Sequence, residues 1–241
     1  MRLTAGVRAC GVFAGALAVT APHAPTRAVG DVRGQITLLE RDGAAPADLT
    51  STVVYLEPVA ATAALASTRS ASSAAAPRAT EIVMRGREFI PHVRIVAAGG
   101  DVAFPNDDPF SHNVFSNTES NAFDLGLYRY HASRSATFAR PGVYPIYCNI
   151  HHRMVSFVVA VASPYAVFAG RDGRFTIPDV PAGAYVLHAW HERAGETSRP
   201  LTVGGTGSSD VPLALDARGY VAAPHPNKFG LPYAATRADR Y

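Results

Sequence analysis

VYPIYCNIHHRMVSFVVAVA, residues 143–162, decides the fold and points to the chemistry. Its two ends, VYPIYC and VSFVVAVA, are rich in β-branched and aromatic residues and read as strands. The segment between them, CNIHHRM (148–154), places a thiol at Cys148, an imidazole at His151 and a thioether at Met154 on one short loop. Three donors that close together form a metal-binding pattern.

The chain has two cysteines, Cys10 and Cys148. The N-terminus reads as a secretory signal: MRLTAGVR carries two arginines, ACGVFAGALAVTA is apolar, and small residues lead to TRA, so cleavage after Ala28 would leave Val29 first. That apolar run is too short to span a bilayer. The expected location is periplasmic or secreted, with no stable membrane span in the mature chain. Only Cys148 then remains, and a lone thiol in an oxidising compartment is a liability unless something holds it as a thiolate. The leader also takes Arg2, Arg8 and Arg27 with it, so that 22 basic and 19 acidic residues become 19 of each. A balanced chain gives no ground for nucleic acid binding.

A soft thiolate with imidazole and thioether suits copper, and a blue-copper site needs one Cys, two His and a weak axial ligand, commonly Met. The second histidine must come from elsewhere. His112 in FPNDDPFSHNVFSN, 36 residues before Cys148, is the candidate, on what reads as a polar turn. Loops at one end of a sandwich cluster in space, so the two can meet. Structural zinc wants four good ligands, and a thioredoxin-type site or c-type haem needs a second nearby cysteine.

The remainder is β-rich. TEIVMRG, VRIVAA, DVAFPN and SATFARPG read as further strands, with Pro91 and Pro105 at strand ends. VRGQITLLE (32–40) and STVVYLEP (51–58) read as two strands across a polar turn, and Asp172-Gly173 as a hairpin signal. PAGAYVLHAW alternates, with Tyr185, Leu187 and Ala189 on one face and Val186, His188 and Trp190 on the other. Residues 60–79 are a low-complexity Ala/Ser/Thr linker, and 215–241 a polar, Pro-rich tail extended over the surface.

REFIPHVRIVAAGGDVAFPNDD, SHNVFS and YCNIHHRM, in that order, resemble the cupredoxins of the plastocyanin and amicyanin group. The resemblance covers residues 80–162 and has the short amicyanin loop spacing. It implies a Greek-key β-sandwich holding one type 1 copper ion through His112, Cys148, His151 and Met154. It also implies that the Asn113 backbone N–H bonds the Cys148 sulfur while its side chain ties the two loops together. His152 stands where short-loop relatives often have proline, which leaves open a competing role in metal binding. His92 is expected to face solvent.

GRFTIPDVPAGAYVLHAW (173–190) resembles the carboxypeptidase regulatory-like, or transthyretin-like, module, whose first half fits VRGQITLLERDG and STVVYLEP. Residues 29–58 and 163–214 would then fold together as a second small β-sandwich with the cupredoxin inserted; two adjacent domains are the alternative. His188 and His191 lie three apart on a strand and point to opposite faces, so surface roles around a buried Trp190 are expected rather than a second metal site. The RADRY ending does not match transthyretin-like hydrolases, which favours a scaffold or docking role.

The expectation is an all-β, non-enzymatic carrier of single electrons, with a redox protein partner such as a dehydrogenase or cytochrome. Metal delivery, storage or docking is the alternative. A copper oxidase or nitrite reductase would need further clustered histidines, which HH at 151–152 does not supply.

Overall fold

A computed structural model describes residues 28–41, 43, 48–59 and 80–233. The leader up to residue 27 and the 60–79 linker lie outside the described residues. The described residues are all-β apart from one 3-10 turn at Glu119–Asn121. Among the described residues no helix is long and apolar enough to cross a membrane.

Two strands precede the linker, β1 (Val29–Leu39) and β2 (Val53–Pro58). Ten follow it: β3 (Thr80–Glu81), β4 (Val83–Arg85), β5 (Glu88–Ile90), β6 (Val93–Ala97), β7 (Gly100–Pro105), β8 (His112–Ser116), β9 (Phe123–Tyr128), β10 (Ser133–Phe138), β11 (Gly142–Tyr147) and β12 (Val155–Val161). Five close the fold: β13 (Ala166–Phe168), β14 (Arg174–Pro181), β15 (Gly183–His191), β16 (Gly195–Val203) and β17 (Ser208–Asp216).

The middle ten build two facing sheets, ordered β6-β12-β11-β8-β9 and β10-β7-β3, with the β4-β5 hairpin at one end. Their shared core holds Phe104, Phe138, Tyr144, Ile146 and Val158. The strands from both ends of the chain build the other two sheets, β14-β1-β17 and β13-β2-β15-β16, around a separate core that includes Ile36, Leu56, Ile177, Tyr185 and Leu187. β1 and β2 do not pair with each other, and the Asp172-Gly173 turn links strands of different sheets rather than a hairpin. The polar turn around Asp172-Gly173 serves as a crossing between layers. Gly34 lies where β1 is squeezed between β14 and β17: an added Cβ would meet the Val211 carbonyl at 2.1 Å and the Phe175 ring at 2.6 Å.

β12 explains the joint between the units. VSFVVAVA is apolar on both faces because both are covered. Val158 and Ala160 enter the first core, while Val159 and Val161 join Val53, Tyr55, Val93 and Trp190 in a third cluster. Trp190 packs on Phe157 with ring centroids 5.1 Å apart. Beside this patch His92 does not simply face solvent. Its Nε2 lies 2.6 Å from Glu192 Oε2, and its ring meets the edge of Phe157. Nor is His191 a surface residue: it is buried, with Nε2 3.5 Å from Ser51 Oγ.

The Glu192 contact holds His92 above its ordinary value of 6.5 against the opposing effect of burial. The same contact holds Glu192 below its ordinary 4.5. A raised histidine stabilises the fold fully below the unfolded value and loses that contribution as pH rises through the folded one. A lowered carboxylate stabilises above its unfolded value and loses it as pH falls through the folded one. The pair therefore contributes most between about pH 4.5 and 6.5. Glu192→Gln is expected to lower the melting temperature relative to wild type at pH 5.5, with the difference fading by pH 8. An equal difference at both pH values would show that the pair is not coupled to titration.

Candidate metal centre

The site is built where β8 begins and where β11 turns into β12. The run around His112 is not a polar turn throughout: His112 opens β8, which is buried along its whole length. The turn before it is shaped by Asn106. Its side-chain nitrogen donates to the carbonyls of Phe110 (2.9 Å) and Tyr128 (3.2 Å), and its Oδ1 accepts the Asp108 N–H (2.9 Å). This arrangement points Asp108 inward.

Asp108 was not singled out by sequence reasoning. Its carboxylate accepts the N–H groups of Gly86 (2.6 Å) and Arg87 (2.9 Å) at the tip of the β4-β5 hairpin. Both residues have φ of 64°, and this left-handed pair aims consecutive amides at one anion. The other contact of the carboxylate is His112 Nε2, at 2.8 Å, with both side chains essentially buried. Nε2 is thereby occupied, and Nδ1 is left toward the interior.

Nδ1 of His112 lies 3.8 Å from Cys148 Sγ, and Nδ1 of His151 lies 3.7 Å from the same sulfur. The three donor atoms all fall within 4.8 Å of one another, the one such group of histidine, cysteine and acidic donors among the described residues. These separations are long for hydrogen bonds to sulfur. They match donors surrounding one ion, each roughly 2.0–2.3 Å from it. Met154 is buried in the same core cluster as Cys148. The loop closes on itself: Met154 N–H donates to the His151 carbonyl (2.9 Å), and Cys148 N–H to the Met154 carbonyl (3.3 Å). Neither His152 nor the pair His188 and His191 enters the donor group.

Burial keeps all three donor side chains uncharged when no cation is beside them. Burial pushes the Cys148 thiol up, opposed by N–H groups of Asn113, Ile150 and His151 directed at the sulfur. A thiolate there needs a cation beside it. Burial pushes both His112 and His151 down, which presents neutral imidazoles ready to donate. As the resemblance implies, Asn113 sends its N–H toward the sulfur, and its Oδ1 accepts the Asn149 N–H (3.3 Å), joining the two loops. Phe110 is exposed and packs against both imidazoles, at 5.2 and 5.7 Å.

Asp108→Asn tests this orienting contact. An amide would turn its NH2 toward at least one donor. Affinity for a metal ion at this site is expected to fall by about 10- to 100-fold. The metal-free fold is expected to lose about 1–3 kcal/mol. Chelator competition and chemical denaturation read the two effects separately, and unchanged affinity would remove Asp108 from the site.

No family model matches the chain, and no curated protein sequence does. Structures similar to it include a Cu-containing nitrite reductase from Thermus scotoductus, at 24% identity and a TM-score of 0.34, covering 35% of this chain and 23% of that one. The chain thus spans under a quarter of the length of that reductase structure. A reduced Cu(I) form of an amicyanin mutant matches at 22% identity and a TM-score of 0.34, covering 37% of this chain and 89% of that one. A purple cupredoxin from Nitrosopumilus maritimus matches at 21% identity and a TM-score of 0.32, covering 34% and 99% respectively. Each likeness is confined to about a third of the chain.

Proposed function

We propose that this chain is an exported type 1 copper protein that passes single electrons between redox partners. The observation that carries the reading is the buried convergence of Cys148 Sγ with the Nδ1 atoms of His112 and His151 within 4.8 Å. Copper bound there would supply a one-electron couple.

The chain's own residues do the rest. Cys148 provides the thiolate, with amide N–H groups turned toward its sulfur. Asp108 fixes the His112 ring, and Met154 completes the donor set from inside the core. Strands β8, β11 and β12 are hydrogen-bonded neighbours in one sheet, so the loops between them have little freedom to rearrange when charge changes. His151 is only partly buried. Its edge, beside exposed Phe110 and Ile150, is the exit toward a docked dehydrogenase or cytochrome. The leader ending near Ala28 directs the chain to the periplasm or exterior. Residues 29–58 with 163–214 act as a transthyretin-like scaffold or docking module rather than as an enzyme.

Two measurements test the reading. Cu(II) addition should produce an intense visible thiolate-to-metal band that bleaches and returns over repeated one-electron reduction and oxidation. Self-exchange between the two forms should be fast. Binding of Cu(I) alone, without a reversible band, would instead indicate metal delivery.

A further inference from the structure

The segment after β17 does more than trail over the surface. It leaves the second β unit and crosses to the ligand loop of the first. Its exposed apolar side chains do not dock it: Val221, Phe229 and Leu231 are 72%, 73% and 60% exposed. Polar contacts and one ring stack hold it instead.

Those contacts fall on the residues beside the metal donors. The His225 ring stacks on Tyr147 with centroids 4.1 Å apart and planes 20° from parallel, against the residue preceding Cys148. Tyr233 donates its hydroxyl to the Cys148 carbonyl at 3.1 Å. The Lys228 N–H donates to Asn149 Oδ1 at 3.0 Å, and the Lys228 ammonium reaches Asp124 Oδ2 at 2.7 Å. Asp124 Oδ1 accepts from the Asn113 side chain at 2.6 Å, and Asn113 in turn accepts the Asn149 N–H. Asn113, Asn149, Lys228 and Asp124 therefore form a closed polar ring. It spans the residue after His112 and the residue after Cys148.

We infer that the C-terminal strap, residues 217–233, is part of the metal centre, with Lys228 and Tyr233 as positioning residues. They hold the Cys148–Asn149 backbone against the loop of His112, so an element supplied by the second β unit sets how firmly the donors are fixed. The metal consequence rests on the copper reading above, whereas the mechanical consequence does not.

The test uses the full chain carrying Lys228→Met with Tyr233→Phe. In metal-free protein, the rate at which Cys148 reacts with an aromatic disulfide reagent is expected to rise about tenfold, the scale of losing one to two polar contacts. In copper-loaded protein, affinity by chelator competition is expected to fall about tenfold, with a shifted visible band and reduction potential. Lys228→Arg alone, which keeps the ion pair, and Val221→Ala, which trims only an exposed side chain, should match wild type. Wild-type thiol reactivity in the double variant overturns the inference. So does an equal rise in Ile177→Val, which weakens only the distant core. If wild type shows no thiolate-to-copper band but the thiol response is seen, the copper reading fails and the positioning role stands.

Discussion

Cys148→Ser is expected to abolish the visible band of the copper-loaded protein and to lower copper affinity by at least about 100-fold, beyond the usual cost of losing an outer contact. A serine hydroxyl stays protonated at neutral pH and is a hard donor, so it replaces neither the charge nor the softness of a thiolate. The fold should survive. The side chain is small, and N–H groups of Asn113, Ile150 and His151 already face that atom and can donate to an oxygen. The metal-free variant is therefore expected to melt within a few degrees of wild type. Absorption spectra during Cu(II) titration, alongside thermal melts, separate ligand loss from unfolding. A band that persists in the serine variant would mean that the sulfur is not a ligand, and the proposed function would fall with it.

Trp190→Ala is expected to destabilise the protein by about 3–5 kcal/mol, the cost of removing a large buried aromatic. In a chain of this size that corresponds to a melting temperature lower by about 10 °C. Trp190 is 5% exposed and packs on Phe157 among Val53, Tyr55, Val93, Val159 and Val161. These residues come from strands on both sides of the joint, so the cavity weakens the contact between the two cores rather than either core alone. Differential scanning calorimetry should show the single transition broadening or splitting in two. A loss under about 1 kcal/mol would mean the joint collapses around the gap and Trp190 is not its anchor.

Most of the donor pattern was legible because it is local. Cys148 and His151 sit on one loop with Met154 beside them, and His112 follows a polar turn at the start of buried β8. The groups that orient them were not. Asp107 and Asp108 are adjacent acids with equal claims in sequence. Only the Asn106 hydrogen bonds and the β4-β5 hairpin send Asp108 inward, while Asp107 pairs with Arg85 at 2.7 Å. The surface expected for His92 and His191 fails because local pattern does not show that Glu192 meets His92 or that His191 is buried beside Ser51, a residue 140 positions away. The strap's polar, Pro-rich composition offers little to bury, so its sequence predicts a chain extended over the surface. Its docking relies on polar contacts between residues 79 to 104 positions apart.

From its sequence alone, this protein's β character, the alternation of its strands and the three residues whose donor atoms converge, His112, Cys148 and His151, were legible. These depend on side-chain periodicity and on donor chemistry, both of which act over a few residues. Only the tertiary structure decided which carboxylate steadies His112, what covers β12 on its second face, and that Lys228 and Tyr233 return to the loop of Cys148. Such contacts depend on chain closure over long separations, where the same residues could pair in many ways and only the packed whole selects one.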